Sequence, residues 1–254
     1  MDTLMIHDLR RELFDLDLTA YRLSFDDGLY SQYYYYPLLA RHPAPLTYFI
    51  TTGFIRDGAA RGMFQGEFLP YVKTGVYARE AFLEGDFRRF MTTDEVRYLA
   101  SRPNVRLGAH SHRHDVILTD VHPKKPKAPS AWKLARFAHV PAAVREGLAI
   151  RSRLAFTGFD YIDGRLEPRG RAAWEEEVAR DTESLLEWFR TRLGVAPTAY
   201  CFPFNEYTPE LVALLERFGF REFYAARPAP GLNISGRVDA DRLVDGAPAP
   251  TGVR

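Results

Sequence analysis

The chain is poor in the residues that staple or anchor a protein. Among its 254 residues Cys201 is the only cysteine. No disulfide can form within the chain, which excludes a disulfide-stapled scaffold and favours a reducing compartment. No run approaches the ~20 apolar residues of a membrane span. The stretch from Met1 to Leu18 mixes acids, bases and apolar residues and has no unbroken apolar core of the signal-peptide kind. An excess of one charge is also missing: 34 Lys and Arg stand against 33 Asp and Glu. That removes any global argument for a nucleic-acid partner. Histidine is scarce at seven, and none follows His139. What remains is a soluble, cytoplasmic globular chain, 46% apolar, with enough length for a sizeable core.

Apolar runs and helical periods alternate along the chain. Residues 1–20 read as an irregular lead-in. Strands are expected at Tyr21–Phe25, Leu46–Thr51, Val105–Leu107, Thr198–Phe202 and Phe220–Ala226. Helices are expected over Leu29–Ala40, from a Thr92 or Thr93 cap, over Ala172–Leu193 ending at Gly194, and from Thr208-Pro209. Arg242-Leu243-Val244 reads as a short last strand. This alternation points to a parallel α/β sheet, with functional residues at the C-terminal ends of its strands. One catalytic domain over 1–254 is expected, with inserts near 53–90 and 115–170. The second insert holds Lys124, Lys125, Lys127, Lys133, Arg136, Arg145, Arg151 and Arg153. These form either a solvated basic face or a lid for an anionic substrate.

Two stretches carry chemistry. Ser24-Phe25-Asp26-Asp27-Gly28 breaks a buried strand into a turn, and two adjacent carboxylates there are costly unless used. Gly28 permits the sharp turn that lets both reach one site; on a straight strand they would face opposite ways. His110-Ser111-His112-Arg113-His114 puts two histidines four residues apart, roughly 5–6 Å on one face of a helical turn. With a carboxylate from Asp26 or Asp27 they would hold one ion and leave positions open for water and substrate, as catalytic sites do.

The first stretch resembles the Thr-Phe-Asp-Asp-Gly motif of the polysaccharide deacetylase superfamily, the NodB-like carbohydrate esterases of family 4. The second resembles its His-Ser/Thr-x-x-His motif. Tyr200-Cys201-Phe202-Pro203-Phe204-Asn205-Glu206-Tyr207 is similar to its aromatic-Pro-aromatic-Gly turn. The resemblance spans residues 20–230 and leaves both inserts unexplained. It implies a distorted (β/α) barrel and a metal-dependent hydrolase removing an N-acetyl or N-formyl group from an amino sugar or glycan. It implies Asp27, His110 and His114 as ligands of a divalent metal, zinc most often in that family. Asp26 would be the base, and Pro203, Phe204 and Tyr207 would form the oxyanion and sugar-binding turn. A nucleotide-linked, lipid-linked or small soluble amino sugar is the expected substrate, and the basic insert would suit a phosphate on it.

Two departures stand out. The Arg that usually opens the third motif and tethers the base is absent, and Arg237 or Arg242 are the available substitutes. The late Leu-x-His, whose histidine protonates the leaving amine, is absent too, which leaves His122, His139, Asp163 or water. A catalytically impaired relative that binds glycan is therefore the competing expectation. A phosphoesterase would bring more ligand carboxylates than the sequence offers.

Overall fold

The structure, a computed structural model, describes residues 1–124 and 128–246. Lys125 and Lys127 of the basic insert lie outside the described residues.

Eight parallel strands make the body of the molecule. In chain order they are β1 (Thr3–Ile6), β2 (Arg22–Phe25), β3 (Leu46–Ile50) and β4 (Val105–Ala109), with β9 to β12 following the second insert. That insert supplies a separate antiparallel sheet: β5 (Val116–Thr119), β6 (Ala149–Ser152), β7 (Phe159–Ile162) and β8 (Arg165–Pro168), in the order β6-β5-β7-β8. The main sheet then continues through β9 (Ala199–Cys201), β10 (Glu222–Ala225), β11 (Ile234–Gly236) and β12 (Val238–Asp239). Its order is β11-β10-β9-β4-β3-β2-β1-β12. The two edge strands are separated in the chain by Arg237 alone, so one short segment passes from one edge to the other and the sheet curls into a nearly closed, distorted barrel. The core strands are long in Leu, Ile, Phe and Tyr rather than alternating, as strands covered on both faces require.

The helices are α1 (Tyr30–Tyr34), α2 (Tyr36–Leu39), α3 (Thr74–Arg79), α4 (Thr93–Ala100), α5 (Ala131–Arg136), α6 (Ala142–Arg145), α7 (Arg171–Leu193), α8 (Pro209–Arg217) and α9 (Ala240–Val244). α7 buries Val178, Leu185 and Phe189 completely, worth about 1.5–3 kcal/mol each. It stops where Gly194 turns left-handed and donates to Arg190 O. Thr92 is the cap of α4, in a reciprocal box with Glu95. Arg61 grips the same Glu95 carboxylate at 2.8 Å and so bolts the first insert to α4. No helix among the described residues is long and apolar enough to cross a membrane.

Three expectations change. Residues 3–6 form a strand, buried from Leu4 to Ile6, between β2 and β12, not an irregular lead-in. Four residues are too few to show a period, and only the neighbouring strands make them a strand. Arg242-Leu243-Val244 lies in α9, capped by Asp239, while the last strand ends at Asp239. The single helix expected over Leu29–Ala40 is two short helices broken at Tyr35, and Tyr33, Tyr35 and Tyr36 pack into the core.

Candidate metal centre and active site

The C-terminal ends of β1, β2, β4 and β9 meet at one end of the barrel. After β2 the chain turns left-handed at Asp27 (φ 73°) and again at Gly28 (φ 83°). Asp tolerates this conformation better than most residues, and the turn sends both carboxylates inward instead of to opposite faces. Asp26 and Asp27 are 2% and 3% exposed.

After β4 the chain does not enter a helix. Ser111 (φ 65°) and His114 (φ 53°) are left-handed, so a tight loop, not an i,i+4 helical face, brings His110 and His114 together with ring centroids 4.9 Å apart. Three neighbours hold this loop. Asp181 of α7 accepts from the N–H groups of His112 and Arg113, at 2.9 Å each. Ser111 Oγ accepts from His114 N, and Gly53 N donates to His112 O. Burial pushes Asp181 up to about 6 against its two N–H bonds. His112 points away and pairs with Thr52.

The decisive geometry is at Asp27. Its Oδ1 lies 3.3 Å from His110 Nε2 and 3.4 Å from His114 Nε2, yet it is buried without a hydrogen-bond partner among the described residues. His110 Nδ1–H donates to the Cys201 carbonyl at 2.8 Å, which leaves Nε2 free to bind an ion. Burial pushes His114 down to about 4, so it is neutral near pH 7. Burial opposes the Asp27 charge, but His114 and His110 hold it far below the ordinary carboxylate range. An unpartnered carboxylate oxygen facing two imidazole nitrogens in a buried site is the donor set a divalent cation fits.

The fold has counterparts among solved structures. The deacetylase domain of BpsB from Bordetella bronchiseptica aligns with 85% of this chain and 69% of its own length, at 19% identity and TM-score 0.57. A de-N-acetylase from Aggregatibacter actinomycetemcomitans aligns over 94% and 95%, at 13% and 0.59. IcaB from Ammonifex degensii aligns over 97% and 96%, at 15% and 0.54. The fold is that of the polysaccharide deacetylases. No family model and no curated protein matches the sequence itself.

Set on the polysaccharide deacetylase fold, the missing tether has an answer. Arg237, from the junction of β11 and β12, makes a forked pair with Asp26, Nη1–Oδ1 at 2.6 Å and Nη2–Oδ2 at 2.8 Å. Its Nη2 also reaches Cys201 Sγ at 2.8 Å. The small Cys201 leaves room for a guanidinium arriving from another strand. Burial would raise Asp26, but Arg237 and then His110 outweigh it and hold the group below its ordinary range. Arg242, the other candidate, sits on α9.

A cavity of about 220 Å³ contains Asp26, Asp27, His110, His114 and Phe204. Phe204 (φ 59°) and Asn205 (φ 57°) are consecutive left-handed residues, and the Phe204 ring packs on His114 at 4.5 Å. Pro203 is buried beside the cavity without lining it. Tyr207 packs on Phe202 at 5.2 Å and does not line it either. Both inserts reach the cavity: Phe54, Tyr77 and Phe82 from the first, Trp132 and Lys133 from the second. Trp132 and Phe82 stack at 4.8 Å, and Lys133 Nζ lies 3.8 Å from the Phe204 centroid. Arg151 and Arg153 are partly buried and pair with Glu206 and Glu177, while Arg136 is exposed and pairs with Asp115.

None of the expected proton donors lines the cavity. His122 pairs with Gly147 O, His139 stacks near Tyr161, and Asp163 lies between β7 and β8. His7 does line it, delivered by β1. Gln32 ties its backbone to that of Asp26, since Nε2 donates both to His7 O and to Asp26 O. The signal available in sequence was a histidine directly after a short apolar run, Leu4-Met5-Ile6.

Proposed function

We propose that the protein is a metal-dependent hydrolase that removes an N-acyl group, acetyl or formyl, from an amino sugar or glycan. The observation that carries this is the unpartnered Asp27 Oδ1 facing two histidines beside an Arg-tethered Asp26. Structures of similar fold include a de-N-acetylase and a polysaccharide deacetylase, which supports the substrate class. Asp27, His110 and His114 would hold the cation, and two imidazoles with one carboxylate suit zinc. Such an ion polarises the acyl carbonyl and lowers the pKa of water beside it.

The chain's own residues do the rest. Asp26 takes the proton as a water oxygen bonds to the acyl carbon. Arg237 keeps Asp26 ionised and oriented until then. The Phe204 N–H is the donor assigned to the developing oxyanion. As the C–N bond breaks, His7 gives its proton to the leaving amine, and Asp26 ends with the proton taken from water. Phe82, Trp132 and Phe204 offer flat faces for a sugar ring. Lys133 at the same cavity suits a substrate bearing an anionic group such as phosphate.

The test is acetate and formate release from a panel of N-acyl amino sugars, with and without a phosphate, by wild type and Asp26→Asn. Release by wild type and its loss in a metal-loaded Asp26→Asn protein is the expected result. Metal bound with no release from any substrate would replace the enzyme reading by glycan binding.

A further inference from the structure

The three sequence motifs do not include the first insert, yet its helix α3 covers the metal site. Tyr77 of α3 is 2% exposed. Its hydroxyl donates to Asp27 Oδ2 at 3.1 Å, and Thr74, one turn earlier, hydrogen-bonds the same hydroxyl. The ring stands edge-on to Phe90, centroids 5.9 Å apart. It also forms the wall between the 220 Å³ cavity and a second one of about 370 Å³ lined by Asp8, Leu69, Val72 and Glu80. The Phe90 contact and the Thr74 hydrogen bond thus hold the ring and its hydroxyl in place.

The two oxygens of Asp27 consequently have different neighbours. Oδ2 is engaged by Tyr77, while Oδ1 faces His110 and His114 and has no hydrogen-bond partner. We propose that Tyr77 is a positioning residue that restricts Asp27 to metal ligation through Oδ1 alone. A free carboxylate can swing to grip an ion with both oxygens and fill a position that water or the acyl oxygen needs. A donor fixed on Oδ2 prevents this and keeps the ligand aimed. Outer partners of this kind typically contribute about 10- to 100-fold in metal affinity.

This inference rests on the metal site proposed above, and the experiment separates the two. Wild type and Tyr77→Phe are stripped of metal and titrated with Zn²⁺ against a chromophoric chelator. Their melting temperatures are compared metal-free, and visible spectra are compared after Co²⁺ loading. No stoichiometric Zn²⁺ binding by wild type would overturn the metal site itself. Given wild-type binding, Tyr77→Phe should bind Zn²⁺ about 10- to 100-fold more weakly. It should melt at the wild-type temperature without metal and show a weaker Co²⁺ band as Oδ2 joins the coordination. Equal affinity with an unchanged spectrum would overturn the role of Tyr77. So would a metal-free melting temperature that falls with the affinity, because the hydroxyl would then serve only the fold.

Discussion

Arg237 and Asp26 stand 211 positions apart in the chain and form a buried, two-pronged ion pair. The pair spans the place where the barrel closes, because Arg237 is the single residue between the two edge strands. One contact therefore both ties the C-terminal segment to β2 and orients the proposed base.

Removing the guanidinium should be severe. Arg237→Met leaves a buried carboxylate unpaired, and breaking such a pair costs about 3–5 kcal/mol. Denaturant titration at pH 7 checks this. The sign follows from the direction of the Asp26 shift. Its folded pKa is depressed, so the pair's contribution is present above the ordinary carboxylate range, ~3.9, and is lost as pH falls below it. The wild-type advantage should shrink at pH 3. In the same variant the acidic limb of the pH–rate profile should move to higher pH. Arg237→Lys keeps the charge but not the fork and should rescue only part of both effects.

His7 should matter for the leaving group and not for the metal. His7→Gln is expected to slow hydrolysis of an alkyl amide roughly 10²–10⁴-fold with unchanged zinc content. An N-acyl anilide bearing electron-withdrawing groups needs less help from an acid, so its loss should be much smaller. Equal losses on both substrates would remove the acid role.

Metal binding should grow tighter as pH rises. Burial alone would lower His110, but Cys201 and the Asp26 and Asp27 carboxylates raise it well above its ordinary value. A raised His110 means that a proton competes with the ion for this ligand. Chelator competition from pH 5 to pH 8 should show affinity rising with pH. His114, at about 4, adds a second proton only at lower pH. A flat profile would contradict the assignment of His110 as a ligand.

Gly53 should be irreplaceable for a reason of space. A Cβ there would stand 2.3 Å from the His112 carbonyl oxygen, which Gly53 N already holds at 2.9 Å. Both partners are backbone, so Gly53→Ala must push the histidine loop away from β3. Weaker zinc binding together with a lower melting temperature is expected, in contrast to Tyr77→Phe.

What the sequence determined by itself was local. Asp-Asp-Gly after an apolar strand, two histidines four apart after another, and the period of α7 each lie within a few residues. Short-range sterics and hydrophobic spacing are enough to expose them. The parallel barrel followed from the alternation of such pieces. Tertiary structure alone decided the rest of the site. His7 sits on a strand of four residues that exists only because β2 and β12 pair with it. Arg237 can reach Asp26 because closure brings the last edge strand beside the first strands and Cys201 leaves it space. Tyr77 acts from a segment without an internal pattern, placed by packing against Phe90 and the second insert. In each case the partner lies dozens to hundreds of residues away, where no period or spacing in the chain can record the contact.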